Sequence, residues 1–167
     1  MTKATFKLLF SVMLIISTVL LTSCDPEGQD GGEEEINQVV LTLSNGTTVT
    51  WNDGDATPDI TLDANSDITG TVEFFNVEGS DTEDVTEEIK EEDDEHFVCY
   101  EITSANLTIA ATDSDGTLPI GLATRWTVGD ASTGVMILKL RHQPGVKDGS
   151  CDPGDSDVEL DFNITIQ

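Results

Sequence analysis

From Ile36 onward, apolar and polar residues alternate in short runs broken by Gly, Asn, Asp and Pro, a pattern of strands and turns. Val39, Leu41 and Leu43 share one face, Asn45-Gly46 marks a two-residue turn, and Thr47, Val49 and Trp51 resume the alternation, which predicts a first hairpin. A short strand is expected over Pro58 to Asp63. Longer ones over Ile68 to Phe75, Phe97 to Thr103, Leu107 to Ala111 and Ile120 to Val128 continue the chain as a meander. The clearest pattern comes last. Met136, Leu138, Leu140 and His142 share one face with Lys139 and Arg141 on the other, and Val158, Leu160, Phe162, Ile164 and Ile166 oppose Glu159 and Asp161. A hairpin of these two strands would set Lys139 and Arg141 against Glu159 and Asp161, with His142 in phase with the core. Helix is signalled only by Val85 and Ile89, at i and i+4 in an acidic run, as one short turn near 85–92. The pattern predicts an all-β domain over 36–167, an immunoglobulin-like two-sheet antiparallel β-sandwich of about nine strands.

The N-terminus does not belong to that pattern. Lys3 and Lys7 precede an apolar stretch from Leu8 to Leu21 and then Leu21-Thr22-Ser23-Cys24. The stretch is shorter than the roughly 20 apolar residues of a spanning helix and ends in small residues, so 1–23 reads as a secretory signal peptide, with an uncleaved anchor as the alternative. Leu-Thr-Ser-Cys resembles the lipobox of bacterial lipoproteins. That resemblance implies cleavage before Cys24, its acylation, and anchoring by two or three acyl chains, which hold far more firmly than one. Residues 24–35, with Gly28, Gly31, Gly32 and Glu33-Glu34-Glu35, are too polar and Gly-rich to bury a core and form a flexible tether. An acidic stretch after the lipidated cysteine also resembles the signal that sends Bacteroidetes-type lipoproteins to the outer face of the outer membrane.

Charge narrows the partners. Losing Lys3 and Lys7 with the signal takes the formal net charge from −26 to −28, which argues against nucleic acid, whose phosphates require the opposite sign. The same field attracts cations and keeps a tethered domain soluble. With Cys24 acylated, Cys99 and Cys151 remain. In an oxidising exported compartment an even pair defaults to a disulfide, with free thiols or thiolate metal ligands as alternatives.

Candidate chemistry gathers in two segments. Asp84 to His96 is an acidic run ending in one of the two histidines, and His142 opens the turn-rich segment to Gly149. Zinc and copper sites combine imidazole with carboxylate or thiolate, so His96, His142, Glu95 and Asp94 are the expected metal ligands if the strands bring them to one edge. Haem would need both imidazoles on opposite sides of an apolar slot. Calcium is suggested by the acidic run, Asp113-Ser114-Asp115-Gly116 and Asn52-Asp53-Gly54-Asp55, but both short motifs lack the full loop pattern and read as turns. Catalysis has little support: with 33 acidic residues a carboxylate pair carries no information, no Gly-x-Ser-x-Gly is present, and neither histidine has an identifiable nucleophile. Trp51, Trp126 and Tyr100 read as core or edge residues rather than a sugar platform.

Several fragments resemble one family together: Asp84 to Ile89 leading to Asp94-Glu95-His96, Gly121-Leu122 with Trp126-Thr127, and Leu140-Arg141-His142-Gln143-Pro144-Gly145 running on to Gly149. The family is one of small Bacteroidetes-type lipoproteins labelled type 1 periplasmic-binding-fold proteins and encoded beside TonB-dependent receptors. A true type 1 periplasmic-binding fold has two α/β lobes and about twice this length, so the label does not describe this strand-rich chain. What the resemblance implies is a link to receptor-mediated uptake, with Glu95, His96 and His142 as site residues and Gln143 beside them. The expectation is a lipid-anchored, non-enzymatic outer-membrane protein, with cell-surface exposure implied by the acidic stretch after Cys24, that binds zinc, copper or a metal complex and assists a TonB-dependent receptor. The alternative is an adhesion or receptor-accessory module that binds a protein or glycan without a specific metal site.

Overall fold

The computed structural model describes residues 35–167. The expected signal peptide, Cys24 and all of the tether but its last residue lie outside the described residues. In chain order the elements are β1 Gln38–Leu43, β2 Thr48–Asn52, β3 Ile60–Leu62, β4 Asp67–Glu78, β5 Asp81–Asp84, α1 Val85–Glu91, β6 His96–Thr103, β7 Leu107–Ala111, β8 Ala123–Val128, β9 Ser132–His142 and β10 Asp155–Ile166. They form an all-β sandwich. One sheet runs β2-β1-β4-β8-β7 with β5 also on β4, and the other runs β3-β10-β9-β6. No helix among the described residues is long and apolar enough to cross a membrane.

The β9–β10 hairpin forms in the register that the alternation predicts, with Lys139 opposite Glu159 and Leu138 opposite Leu160. Other expectations need correction. The strands do not follow as a simple meander: the chain leaves one sheet for the other after β2, β3, α1, β6 and β8, so half of the strand pairs join strands that are not consecutive in sequence. Because β3 crosses over after β2, it lands beside β10 running the same way, and this pair is parallel in otherwise antiparallel sheets. The first hairpin closes differently too. Leu43 donates to the Thr47 carbonyl at 2.8 Å, and Gly46, at φ +94°, donates to the Leu43 carbonyl at 3.0 Å. Asn45 is not at positive φ, so the loop is the three residues Ser44 to Gly46 and not a two-residue turn with both central residues left-handed.

The long strand β4 organises its sheet by changing partners. Its first residues pair with β8 and its last four with β5. Between them the open edge is closed by single groups: the Leu122 carbonyl accepts from Val72 at 2.9 Å. The Thr86 hydroxyl accepts from Phe74 N–H at 2.8 Å and donates to its carbonyl at 3.2 Å. That contact docks α1, whose seven residues are too few to be stable alone. Asp84 caps it by accepting from Thr86 N–H at 3.0 Å, and Val85 and Ile89 are buried against the sheet.

Trp126, fully buried, centres the core. Its indole N–H donates to the Thr124 hydroxyl at 2.8 Å, which donates to the Gly70 carbonyl at 3.1 Å, so the one polar group of the ring is satisfied in an apolar interior. Gly70 is obligatory there: a Cβ would stand 2.9 Å from both Leu43 Cδ2 and Trp126 Nε1.

Candidate functional site

Strand β6 begins at His96 and β9 ends at His142, and the register sets the two directly opposite each other. Topology therefore unites the two halves that the sequence separates by 46 positions. The rings stack, with centroids 4.9 Å apart and planes 12° from parallel. Each keeps its own neighbour. His96, nearly buried, has Nδ1 3.2 Å from the Glu92 carbonyl oxygen and 4.0 Å from the Glu92 carboxylate. His142 Nε2 lies 3.5 Å from the Glu95 carboxylate. Glu95 thus joins the pair as expected. Asp94 is exposed and forms no ion pair with either ring.

Imidazole donates to a metal in its own plane at about 2.0–2.1 Å. Two rings stacked with nearly parallel planes cannot both aim a lone pair at one ion, so as placed His96 and His142 do not share a first shell. Among the described residues no group of three His, Cys, Asp or Glu is arranged around a metal position. The same stacking leaves no slot between the rings for haem.

What surrounds the pair is a heavily tied connection between β9 and β10. Cys99 and Cys151 are bonded, with Cα atoms 5.9 Å apart, so the disulfide is formed and the free-thiol and thiolate-ligand alternatives fall. Gln143, fully buried, donates its backbone N–H to the Glu95 carbonyl at 2.6 Å and its side-chain amide to the Ser150 and Pro153 carbonyls, both at 2.9 Å. Arg141 was expected near Glu159 and Asp161, but in the antiparallel register Asp161 faces Ile137 and Arg141 faces Ser156. Its guanidinium meets the Ser156 hydroxyl and the carbonyls of Asp152, Pro153 and Gly154. Lys139 does meet Glu159, at 3.9 Å, but sits closer to Glu101 on β6, at 2.9 Å. Arg141 Nε and Gln143 Oε1 are buried without a partner, the residual cost of folding an irregular segment onto a sheet.

Lys147 is the residue that sequence reasoning missed, and its partner Asp115 reads in the sequence only as part of a calcium-like turn. Lys147 is nearly buried; its ammonium donates to the Asp93 carbonyl and lies 3.0 Å from Asp115 Oδ2, joining three loops. Asp115 Oδ1 accepts from the backbone N–H groups of Leu118 and Thr117, both at 2.7 Å. Those two bonds, then the Lys147 contact, hold its carboxyl down to about 2. Asp113 accepts from Gly121 and Ala123 N–H at 2.8 and 3.0 Å. The acidic motif at 113–116 is therefore a turn whose carboxylates are engaged by backbone. Asn52 to Asp55 is likewise a turn, closed by Asp55 N–H on the Asn52 carbonyl at 3.0 Å. The available signal for Lys147 was its rarity, one cation among seven in the chain, between two turn glycines.

Between β6 and β7, neighbouring edges of the two sheets, lies a cleft of about 340 Å³ lined by Phe97, Tyr100, Ile109, Ala111, Pro119 and Cys151, among others. At its side the Tyr100 hydroxyl donates to the Gly121 carbonyl at 3.0 Å, and burial, helped by the Asp113 carboxylate, pushes the phenol far above its ordinary value. Gly121 is at φ +86°, and its Cβ would strike the Val98 carbonyl, so only glycine lets this loop lie on β6. No family model, curated protein or solved structure matches the chain.

Proposed function

We propose that this chain is an exported, lipid-anchored, non-catalytic accessory module of the outer membrane that recognises a macromolecular partner and serves a TonB-dependent receptor. The stacked imidazole pair carries this reading: its planes are 12° apart and each ring is matched to its own glutamate, an arrangement suited to bracing β6 against β9 rather than to capturing an ion. The polar side chains around it support the same role, since Arg141, Gln143 and Lys147 turn onto loop carbonyls and make that region a rigid platform. Metal binding is the second reading, favoured by one observation: His96, His142 and Glu95 are already neighbours.

Calorimetric titration of the full chain with zinc and copper, repeated on His96→Ala and His142→Ala, separates the two. The accessory reading expects weak, many-site binding that neither substitution changes, the mark of an acidic surface collecting cations. Tight one-to-one binding lost in both variants would replace it with metal capture.

A further inference from the structure

Strand β7 is a sheet edge with little protection. Three of the other edges carry devices that discourage pairing, and β2 does not: β5 is Asp81-Thr82-Glu83-Asp84, β3 is bracketed by Pro58-Asp59 and Asp63, and β6 has its Val98 N–H taken by the Ile120 carbonyl at 2.7 Å. β2 and β7 contain no charge. Around β7 the uncharged run extends from Ile102 to Thr112 without Pro or Gly, in a chain that is otherwise strongly acidic. β7 additionally borders the cleft. Thr112 donates to Ala123 and Gly129 donates to Asn106, so the even-numbered residues pair towards β8, and the N–H and C=O of Ile109 and Ala111 project from the open edge. The side chains of these same two residues line the cleft. A strand added here would set the residue opposite Ile109 on the same face, against Phe97 and Tyr100.

We propose that β7 is a docking edge for an extended segment of a partner polypeptide, apolar at alternate positions to fill the cleft and basic at its flanks. Main-chain ladder bonds to Ile109 and Ala111 supply attachment and the cleft supplies selectivity. The basic flanks follow from the charge of −26, which also opposes pairing with a second copy of this chain. The proposal deepens the accessory-module reading and rests on it for the existence of a polypeptide partner.

The test is fluorescence anisotropy on the full chain in mild detergent with a labelled peptide, Lys-Thr-Val-Thr-Phe-Thr-Val-Thr-Lys, and a version ending in Glu. Saturable one-to-one binding of the lysine peptide is expected, with slowed amide exchange at Ile109 and Ala111. Ala111→Lys, which places charge in the cleft, and Ile109→Pro, which removes an outward amide while leaving the β8 ladder bonds in place, should each weaken it by at least about tenfold. Circular dichroism verifies that each variant is folded, and either folded variant suffices. Absence of binding to both peptides, or binding indifferent to a folded edge variant, overturns the edge. Self-association of the chain abolished by these substitutions also overturns it, in favour of a second copy. Binding weakened by Lys147→Met instead would move the partner to the tied loop and leave the module reading standing, whereas failure of that reading shows separately as tight metal binding in the titration.

Discussion

The segment 141–154 and strand β7 both border β6, and they are held in opposite ways. The segment has almost no regular structure beyond the end of β9, yet its carbonyls at Ser150, Asp152, Pro153 and Gly154 are met by Gln143 and Arg141, and a disulfide fastens it to β6. β7 is regular, paired with β8 over five residues, and has its other side open. Irregular backbone folded onto a sheet has to recruit side chains to satisfy its polar groups, whereas a strand satisfies half of them by pairing and leaves the other half for water or a partner. The segment's backbone is therefore tied down within the chain, while one side of β7 is left open.

The disulfide gives the sharpest way to break that contrast. It closes a loop of 52 residues, for which chain entropy gives about 4 kcal/mol of stabilisation, so Cys99→Ser with Cys151→Ser should lose several kcal/mol in urea denaturation followed by tryptophan fluorescence. A loss below about 1 kcal/mol would mean that the side-chain ties hold the segment by themselves. Next in size is Lys147→Met, which strands a nearly buried carboxylate and carbonyl and should lower the urea midpoint clearly more than Lys90→Met, whose partner Glu87 is exposed. The Asp115 carboxylate, held by the Leu118 and Thr117 N–H groups and then by Lys147, also has a pH signature. The Asp115 carboxyl is depressed to about 2, so its contribution is present above the unfolded value of about 3.9 and is lost as pH falls through that window towards 2. Asp115→Asn should flatten this part of the acid denaturation curve. The smallest effect belongs to the edge: Thr108→Lys, on the exposed face of β7, should change stability by no more than about 0.5 kcal/mol in the same assay.

Much of the sandwich was legible because alternation is local. Met136 to His142 and Val158 to Ile166 display their buried faces in the sequence, and Val85 and Ile89 signal the short helical turn. β5 was not legible, since Asp81-Thr82-Glu83-Asp84 has no apolar face and becomes a strand only because the far end of β4 offers a free edge. The parallel docking of β3 on β10 and the destination of Arg141 were equally hidden, because crossover and register are properties of pairs of segments. At the candidate site, the sequence singled out His96, His142 and Glu95, which do meet, and Asp94, which does not.

The sequence by itself determined the class of fold, the faces of most strands and the sign of the surface. Each depends on residue type and short spacing. Only the tertiary structure decided that two imidazoles would stack rather than converge, that Lys147 would be buried between Asp115 and Asp93, and that β7 would be left open beside a cleft. Each of these depends on which segments become neighbours across the sandwich, and neighbourhood is set by the packing of two sheets as a whole, not by any run of residues within one strand.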